Sequence, residues 1–416
     1  MIVSIIIGIS LLGLASGLVG SFTFLRKRAL IGDSIAHSVF PGVAIGFLVS
    51  QSKDPIFLIL GACLTGFLSI VLVDVIVRKS KLKTDTAIAL VLSVFFGFGV
   101  LLFTYIQHAY QSAQTGLDKF LFGKAASMLE SDLIWLGGIS AFVIVCIILF
   151  YKEFLILSFD RNYAQATGVS VRKYELLLSL LTILVIVVGI QIVGIVLMAA
   201  LLVTPASSAR FWTERLKPML ILSSIIAMIS GIGGVFISLS MEKMPTGPWI
   251  VICLSFFAIG SILFAPKRGL LSRILKRKRI QKQMLEDNIL KTFYHLGEKS
   301  DSYLDPHSRE EVLDRRFFKS DPLSIGLKSL IKGNFLIKQG ENYILTDLGL
   351  KRSKRIVKLH RLWEMYLSTK LKLKGDHVHD DADTIEHFIT EELEAELEQI
   401  LGYPEKDPHH TKIPYA

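Results

Sequence analysis

The chain has 416 residues, 51% of them apolar, a mean hydropathy of +0.52 and a net charge of +10. A composition this apolar excludes an ordinary soluble globular chain and a disordered one. Three cysteines, Cys63, Cys146 and Cys253, all sit in apolar runs, which excludes a disulfide framework or a cysteine zinc site. The average hides two unlike halves. Apolar runs recur at about 2–24, 36–51, 55–77, 85–107, 133–151, 176–204, 218–240 and 247–266, and none follows 266. Runs of this kind read as bilayer spans. The first has no basic segment ahead of it and no small-residue cleavage site, so it reads as a retained helix. Basic clusters at 26–28, 78–83, 161–173, 210–217 and from 267 onward mark the cytoplasmic side, which puts the N-terminus outside and the tail inside. The run 176–204 is flanked by basic residues on both sides, so it must enter and leave again. Gly189, Gln191 and Gly194 interrupt it, and two short or broken helices fit. The expectation is a mainly α protein with a polytopic membrane domain of eight or nine helices.

The first chemistry in chain order is Gly32-Asp-Ser-Ile-Ala-His37, directly after Arg26, Lys27 and Arg28. Asp33 and His37 are four apart and share a helix face. Ionisable groups in a membrane segment are costly and mark function by default. A carboxylate with an imidazole suits Mn, Fe or Zn. A plainer alternative has Asp33 capping the helix and His37 in the headgroup zone. Further on, 160–168 reads as a short cytoplasmic helix ended by Gly168, since glycine takes the left-handed cap cheaply. Gly116 and Gly123-Lys124 lack nucleotide-loop spacing, and no Ser or Thr follows the lysine, so ATP hydrolysis is not expected of this chain.

The tail reads as two units. A basic stretch, 267–283, leads into helical spacing from Met284 to His295, which Gly297 can end. Ser308 and Glu311 match a capping box for a second helix, 308–315. Asp321-Pro322 opens a third that ends near Gly333. A hairpin spans Phe335 to Thr346. Three helices and a β-ribbon make a winged helix-turn-helix, a shape used for DNA and for protein partners. From Asp347 a long helix carries His360 and Glu364 on one face. Beyond His379, the residues Asp383, Glu386 and His387 again share one face. Two such faces can converge on a divalent metal, or they can be a solvated charged surface.

Four separated blocks, 25–47, 84–102, 193–210 and 244–251, resemble in the right order the signatures of the manganese/zinc/iron ABC permeases, the ABC-3 family. The resemblance covers about 1–266. It implies a dimeric core with a second permease copy or a homologous permease, an ATP-binding subunit on the cytoplasmic side and an extracytoplasmic metal-binding protein. It also implies that Asp33 and His37 line the metal path, and that 160–168 docks on the ATPase through Ala164, Ala166 and Gly168. The segments 346–367, 376–388 and 401–414 resemble the metal-sensing and dimerisation domain of the diphtheria-toxin-repressor family. That resemblance implies one metal site from His360, Glu364 and His379 and a neighbouring one with Asp383, Glu386 and His387. Two departures stand out. Asn288, with Asp287 beside it, occupies the place of a first-helix ligand, and asparagine offers only a neutral oxygen. Ile325 and Gly326 stand where base-reading side chains are expected, leaving Ser324, Lys328 and Ser329 for phosphates.

The reading that results has a permease domain at 1–266, a basic linker at 267–283, a winged helix-turn-helix at 284–346 and a metal-sensing and dimerisation domain at 347–416. It describes the permease subunit of an ATP-driven importer in a bacterial cytoplasmic membrane, with a cytoplasmic tail that binds metal and operator DNA. Manganese is expected first, from the oxygen donor Asp383, with iron or zinc next. The alternatives are a tail that gates transport without touching DNA, and a membrane half that transports metal without ATP.

Overall fold

The computed structural model describes residues 2–26, 29–52, 54–109, 130–240, 245–370 and 389–415. Two compact units divide the chain, Met1–Arg273 and Ile274–Ala416. The first is helical throughout its described residues: α1 (Ile2–Leu25), α2 (Ala29–Ser50), α3 (Pro55–Lys79), α4 (Thr84–Ala109), α5 (Glu130–Leu149), α6 (Tyr151–Phe159), α7 (Arg161–Ala166), α8 (Val171–Val193), α9 (Ile195–Trp212), α10 (Leu216–Ser240) and α11 (Thr246–Phe264). Seven of these, α1 to α4, α8, α10 and α11, are long and apolar enough to cross a bilayer. Helices α5 and α6 meet at a 70° bend and make an eighth if taken as one span. The run 176–204 does divide, and the break falls at Gly194, whose φ of 90° and ψ of 161° end α8 and start α9. Few residues but glycine hold that conformation without strain. Helix α9, 18 residues with Arg210 in its last turn, is not among these spans, so the described residues give seven or eight, the lower of the two expected counts.

Helix α1 packs against α5, α9 and α10, and α2 lies against α3 and α4. Small residues set the α2–α3 distance. A Cβ on Gly42 would fall 2.1 Å from the Gly61 carbonyl oxygen, and one on Gly61 would fall 2.2 Å from that of Gly42. Backbones in a bilayer approach this closely where glycines face each other.

The second unit begins within α12 (Leu270–Ser300) and continues with β1 (His307–Ser308), α13 (Arg309–Arg315), α14 (Ser320–Lys332), β2 (Leu336–Gln339), β3 (Asn342–Leu345), α15 (Asp347–Lys370) and α16 (Glu391–Leu401). Half of the capping box forms: the Ser308 hydroxyl accepts from the Glu311 amide at 3.2 Å, while the Glu311 carboxylate pairs with His307 Nδ1 at 2.7 Å. The hairpin pairs Leu336 with Leu345 and Gln339 with Asn342. A third strand, β1, adds to β3 and gives the order β1-β3-β2, all antiparallel. Gly340 supplies the positive φ, 61°, that a two-residue hairpin turn needs. The core beneath joins Ile289 and Phe293 of α12, Val312 of α13, Leu323, Leu327 and Leu330 of α14, Leu336 and Leu345 of the ribbon, and Ile356 of α15. This is the winged helix-turn-helix of the sequence reading. Its first helix differs at both ends, since α12 starts at Leu270 and runs through Gly297 to Ser300.

Candidate metal path and regulatory site

Asp33 lies in the second turn of α2, which begins at Ala29, so it is not the helix cap. Its Oδ1 is 3.4 Å from His37 Nε2, with 38% of the Asp33 side chain exposed and 17% of His37. The His37 ring meets Phe96 of α4 edge-on at 5.0 Å, and Phe40 stacks on Phe96 and Phe103. His37 Nδ1 is buried without a hydrogen-bond partner, as are the hydroxyls of Ser34 and Ser38. The buried hydroxyls of Ser21, Ser69 and Thr182 return to a carbonyl three or four residues earlier, whereas that of Ser230 on α10 also lacks a partner. One carbonyl is also released, because Pro41 inside α2 has no N–H to give to His37 O four residues back. One stretch of α2 therefore presents a carboxylate, an imidazole, two hydroxyls and a carbonyl, all oxygen or nitrogen donors suited to a divalent transition metal. The two serines and Pro41 escaped the sequence reading. The only signal for them was their spacing around His37.

The short helix α7 is capped by Asp160, which accepts from the amides of Asn162 and Tyr163 at 2.9 Å each. Ala164 is buried against Leu157 and Val171, so it anchors α7, while Ala166 and Gly168 are exposed. Gly168 takes φ 80° after the helix, as its expected capping role requires. Glu175 of α8 holds this corner. It receives Arg26 at 2.6 Å from the end of α1 and Arg161 at 3.3 Å from the first turn of α7.

In the second unit, His360 Nε2 is 3.1 Å from Glu364 Oε1 on α15, and both side chains are at most 5% exposed. His379, Asp383, Glu386 and His387 lie outside the described residues. Among the described residues no group of three or more His, Cys, Asp or Glu side chains comes together. Asn288 Oδ1 is buried with no partner, which suits a ligand oxygen. Asp287 beside it is not available, since Arg352 clamps its Oδ1 at 2.7 and 3.0 Å while stacking on Phe335. On α14, Lys328 is exposed, whereas Ser329 donates its hydroxyl to Glu286 at 2.7 Å. Ile325 is 62% exposed, and a Cβ on Gly326 would fall 2.4 Å from Ile289.

A buried arginine next to His360 was also missed. Arg361 donates to both Glu298 oxygens at 3.0 and 2.9 Å, donates to the Lys412 carbonyl and lies 3.5 Å from Asp407. Burial alone would raise the Glu298 pKa. Hydrogen bonds from His295 and Arg361 outweigh it and hold the carboxyl at about 2. Helix α16 docks by a similar exchange. Lys358 meets Glu394 and Glu398, which raises the lysine against its burial and lowers Glu394 against its own.

Comparison with known proteins agrees with both halves. A family described as the ABC 3 transport family matches residues 1–265, and one described as the iron dependent repressor metal binding and dimerisation domain matches 346–415. The chain is similar to the manganese transport system membrane protein MntC of Bacillus subtilis (strain 168), at 38% identity over 97% of this chain and 93% of that one. It is also similar to the zinc transport system membrane protein TroC of Treponema pallidum (strain Nichols), at 39% identity over 67% of this chain and 93% of that one. Among solved structures, PsaBC from Streptococcus pneumoniae in complex with Fab matches with a TM-score of 0.59 and 35% identity, covering 66% of this chain and 94% of that one.

Proposed function

The chain belongs to the ABC 3 transport family, and from that membership we propose that it is the permease subunit of an ATP-driven importer of a divalent transition metal, fused to a metal-dependent regulator. The observation that carries the transport reading is the Asp33–His37 pair in an apolar helix, beside polar atoms that the protein leaves unpartnered. Metal in transit would exchange its water for Asp33 and His37. Manganese stands first, supported by the full-length likeness to a manganese transport protein, with iron and zinc behind it. A separate ATPase subunit would dock at α7 around Ala164, Ala166 and Gly168, beside a second permease copy or homologue. An extracytoplasmic metal-binding protein would deliver cargo. The tail would lie in the cytoplasm of a bacterial cell, inside the inner membrane.

In the tail, His360 and Glu364, with His379, would form one regulatory site, and Asp383, Glu386 and His387 a neighbouring one. The bound ion would draw these side chains together and fix the tail in one form. As a repressor, the tail would meet operator DNA through α14, with Ser324, Lys328 and Ser329 on phosphates. The surface of α14 favours a second reading, a metal-sensing valve on transport that does not bind DNA. Ser329 already gives its hydroxyl to Glu286, and an exposed Ile325 stands where a base reader would.

Uptake of radioactive manganese, iron and zinc in cells expressing the whole transporter tests the transport reading. Asp33→Ala and His37→Ala should each abolish uptake with the protein still in the membrane, and normal uptake by either variant would sink it. Gel shifts with the chain's own upstream DNA, with and without metal, divide the two readings of the tail. A metal-dependent shift means a repressor. No shift, together with raised uptake at high metal in Glu364→Ala, means a valve.

A further inference from the structure

A second polar site in the membrane unit lies far along the chain from Asp33 and His37. Where α9 ends and the chain leaves α11, Arg210, Trp212, Glu214, Arg215, Lys267 and Arg268 line a cleft of about 420 Å³. Four cations face one acid. Glu214 is already committed, its carboxylate to Arg268 at 2.8 Å and its backbone carbonyl to Arg210 at 2.9 Å. Arg215 and Lys267 have no acidic partner among the described residues, so the cleft holds uncompensated positive charge.

The surroundings are amphipathic. Trp212 closes α9 and Phe264 closes α11, so the cleft lies where two apolar helices end. Trp212 donates its indole N–H to Ser261 at 2.9 Å and leaves 47% of its surface open. Tryptophan with its polar edge satisfied and its ring exposed is typical of the membrane–water boundary. Phe264, Leu270 and Leu271, exposed by 62%, 50% and 46%, are apolar residues close to Lys267 and Arg268 along the chain. An anion with hydrocarbon attached fits both features. A free phosphate or a nucleic-acid backbone would use the charges and leave the apolar rim in water.

We propose that this cleft binds the phosphate of an anionic phospholipid, with acyl chains along Phe264, Leu270 and Leu271. Arg215 and Lys267 take the phosphate oxygens, and basic pockets at helix ends are known to hold such headgroups. The site depends only on the chain lying in a bilayer. It stands or falls apart from the metal chemistry at Asp33 and His37.

The test is lipid retention by the purified full-length chain, read by native mass spectrometry with phosphatidylglycerol or phosphatidylcholine supplied in nanodiscs. Arg215→Gln and Lys267→Gln should each lower phosphatidylglycerol retention about fivefold, the ratio that matches about 1 kcal/mol per charge. Phosphatidylcholine, whose quaternary ammonium offsets its phosphate charge, should be held more weakly by the parent and lose less in either variant. Arg172→Gln with Lys173→Gln, exposed cations at the start of α8, serves as the control for general surface charge and should retain phosphatidylglycerol like the parent. Unchanged retention in the Arg215/Lys267 double variant would overturn the proposal. So would an equal loss in the control. Displacement of the lipid by millimolar inorganic phosphate would reassign the cleft to a soluble anion and overturn it as well.

Discussion

Replacing Arg361 with alanine should loosen the C-terminal segment of the tail before anything else. The Arg361 side chain is 5% exposed and ties together three pieces: Glu298 of α12, the Lys412 carbonyl and Asp407. Asp407 in turn accepts from the amides of His409 and Thr411 at 2.9 and 2.8 Å, so the arginine steadies a turn that is otherwise self-contained. Breaking a buried ion pair from one side costs roughly 3–5 kcal/mol. Glu298 is 29% exposed and can recover water, which puts the expected loss near the bottom of that range, about 3 kcal/mol. Hydrogen exchange on the full chain reads this out. Protection at Asp407 and Ile413, whose amides pair with Thr411 and Glu405, should fall about a hundredfold while the hairpin stays protected. Unchanged protection at those amides would refute the reasoning. The same contact has a pH signature. The Glu298 pKa is lowered in the fold to about 2, so its contribution is complete above about 4.5 and is lost as pH falls toward 2. The parent should therefore lose protection of 405–415 in that acid window, and Glu298→Gln should start weaker and lose less.

Three further outcomes are expected. Gly61→Leu should prevent α2 and α3 from closing, because even a Cβ there lies 2.2 Å from the Gly42 carbonyl oxygen; membrane-inserted protein should fall sharply on immunoblots, and normal levels would contradict the packing. Gly194→Ala should cost about 1–3 kcal/mol at a φ of 90°, read as a lower detergent-melting midpoint of the full chain. Glu175→Gln weakens the joint hold on Arg26 and Arg161, so hydrogen exchange at the Asn162 and Tyr163 amides of α7 should quicken; unchanged exchange there would contradict a role for Glu175 in holding this corner.

Signals written into adjacent residues were legible in the sequence. The Ser308 cap and the hairpin each rest on contacts within a few residues, and each stands where the pattern put it. The helix expected to open at Asp321-Pro322 does form, but it begins at Ser320 with Lys319 at the cap position, so Asp321 sits in its first turn and is not the cap. The reach of α12 is in fact written in the sequence: Leu270, Leu271, Ile274 and Leu275 recur at helical spacing, and Leu, Lys, Arg and Gln are good helix formers, but the dense Lys/Arg run makes 267–283 read as a linker. Gly297 misled for a physical reason. Its lack of a side chain serves packing, since a Cβ would fall 2.8 Å from Tyr303 Cα, and Asp301, with φ 56°, takes the left-handed position after the helix. Strand β1 is two residues long and depends on partners far along the chain, His307 on Tyr343 and Ser308 on Asn342, beyond any local pattern. For the candidate sites, spacing found Asp33 with His37 and His360 with Glu364, both of which the helices place side by side. It could not find Arg361 or Glu175, whose partners come from distant segments.

The unpartnered atoms along α2 bear on how easily the bundle changes shape. A buried polar group without a partner costs about 1–3 kcal/mol, and Ser34 Oγ, His37 Nδ1 and Ser38 Oγ carry that cost together. Any rearrangement that offers this face water or a cation recovers it. Swinging a two-state equilibrium from 1:99 to 99:1 takes about 5.5 kcal/mol, the same order as the three terms combined. A form of α2 that gives these three atoms partners recovers that cost, so binding that supplies the partners favours it over the described arrangement.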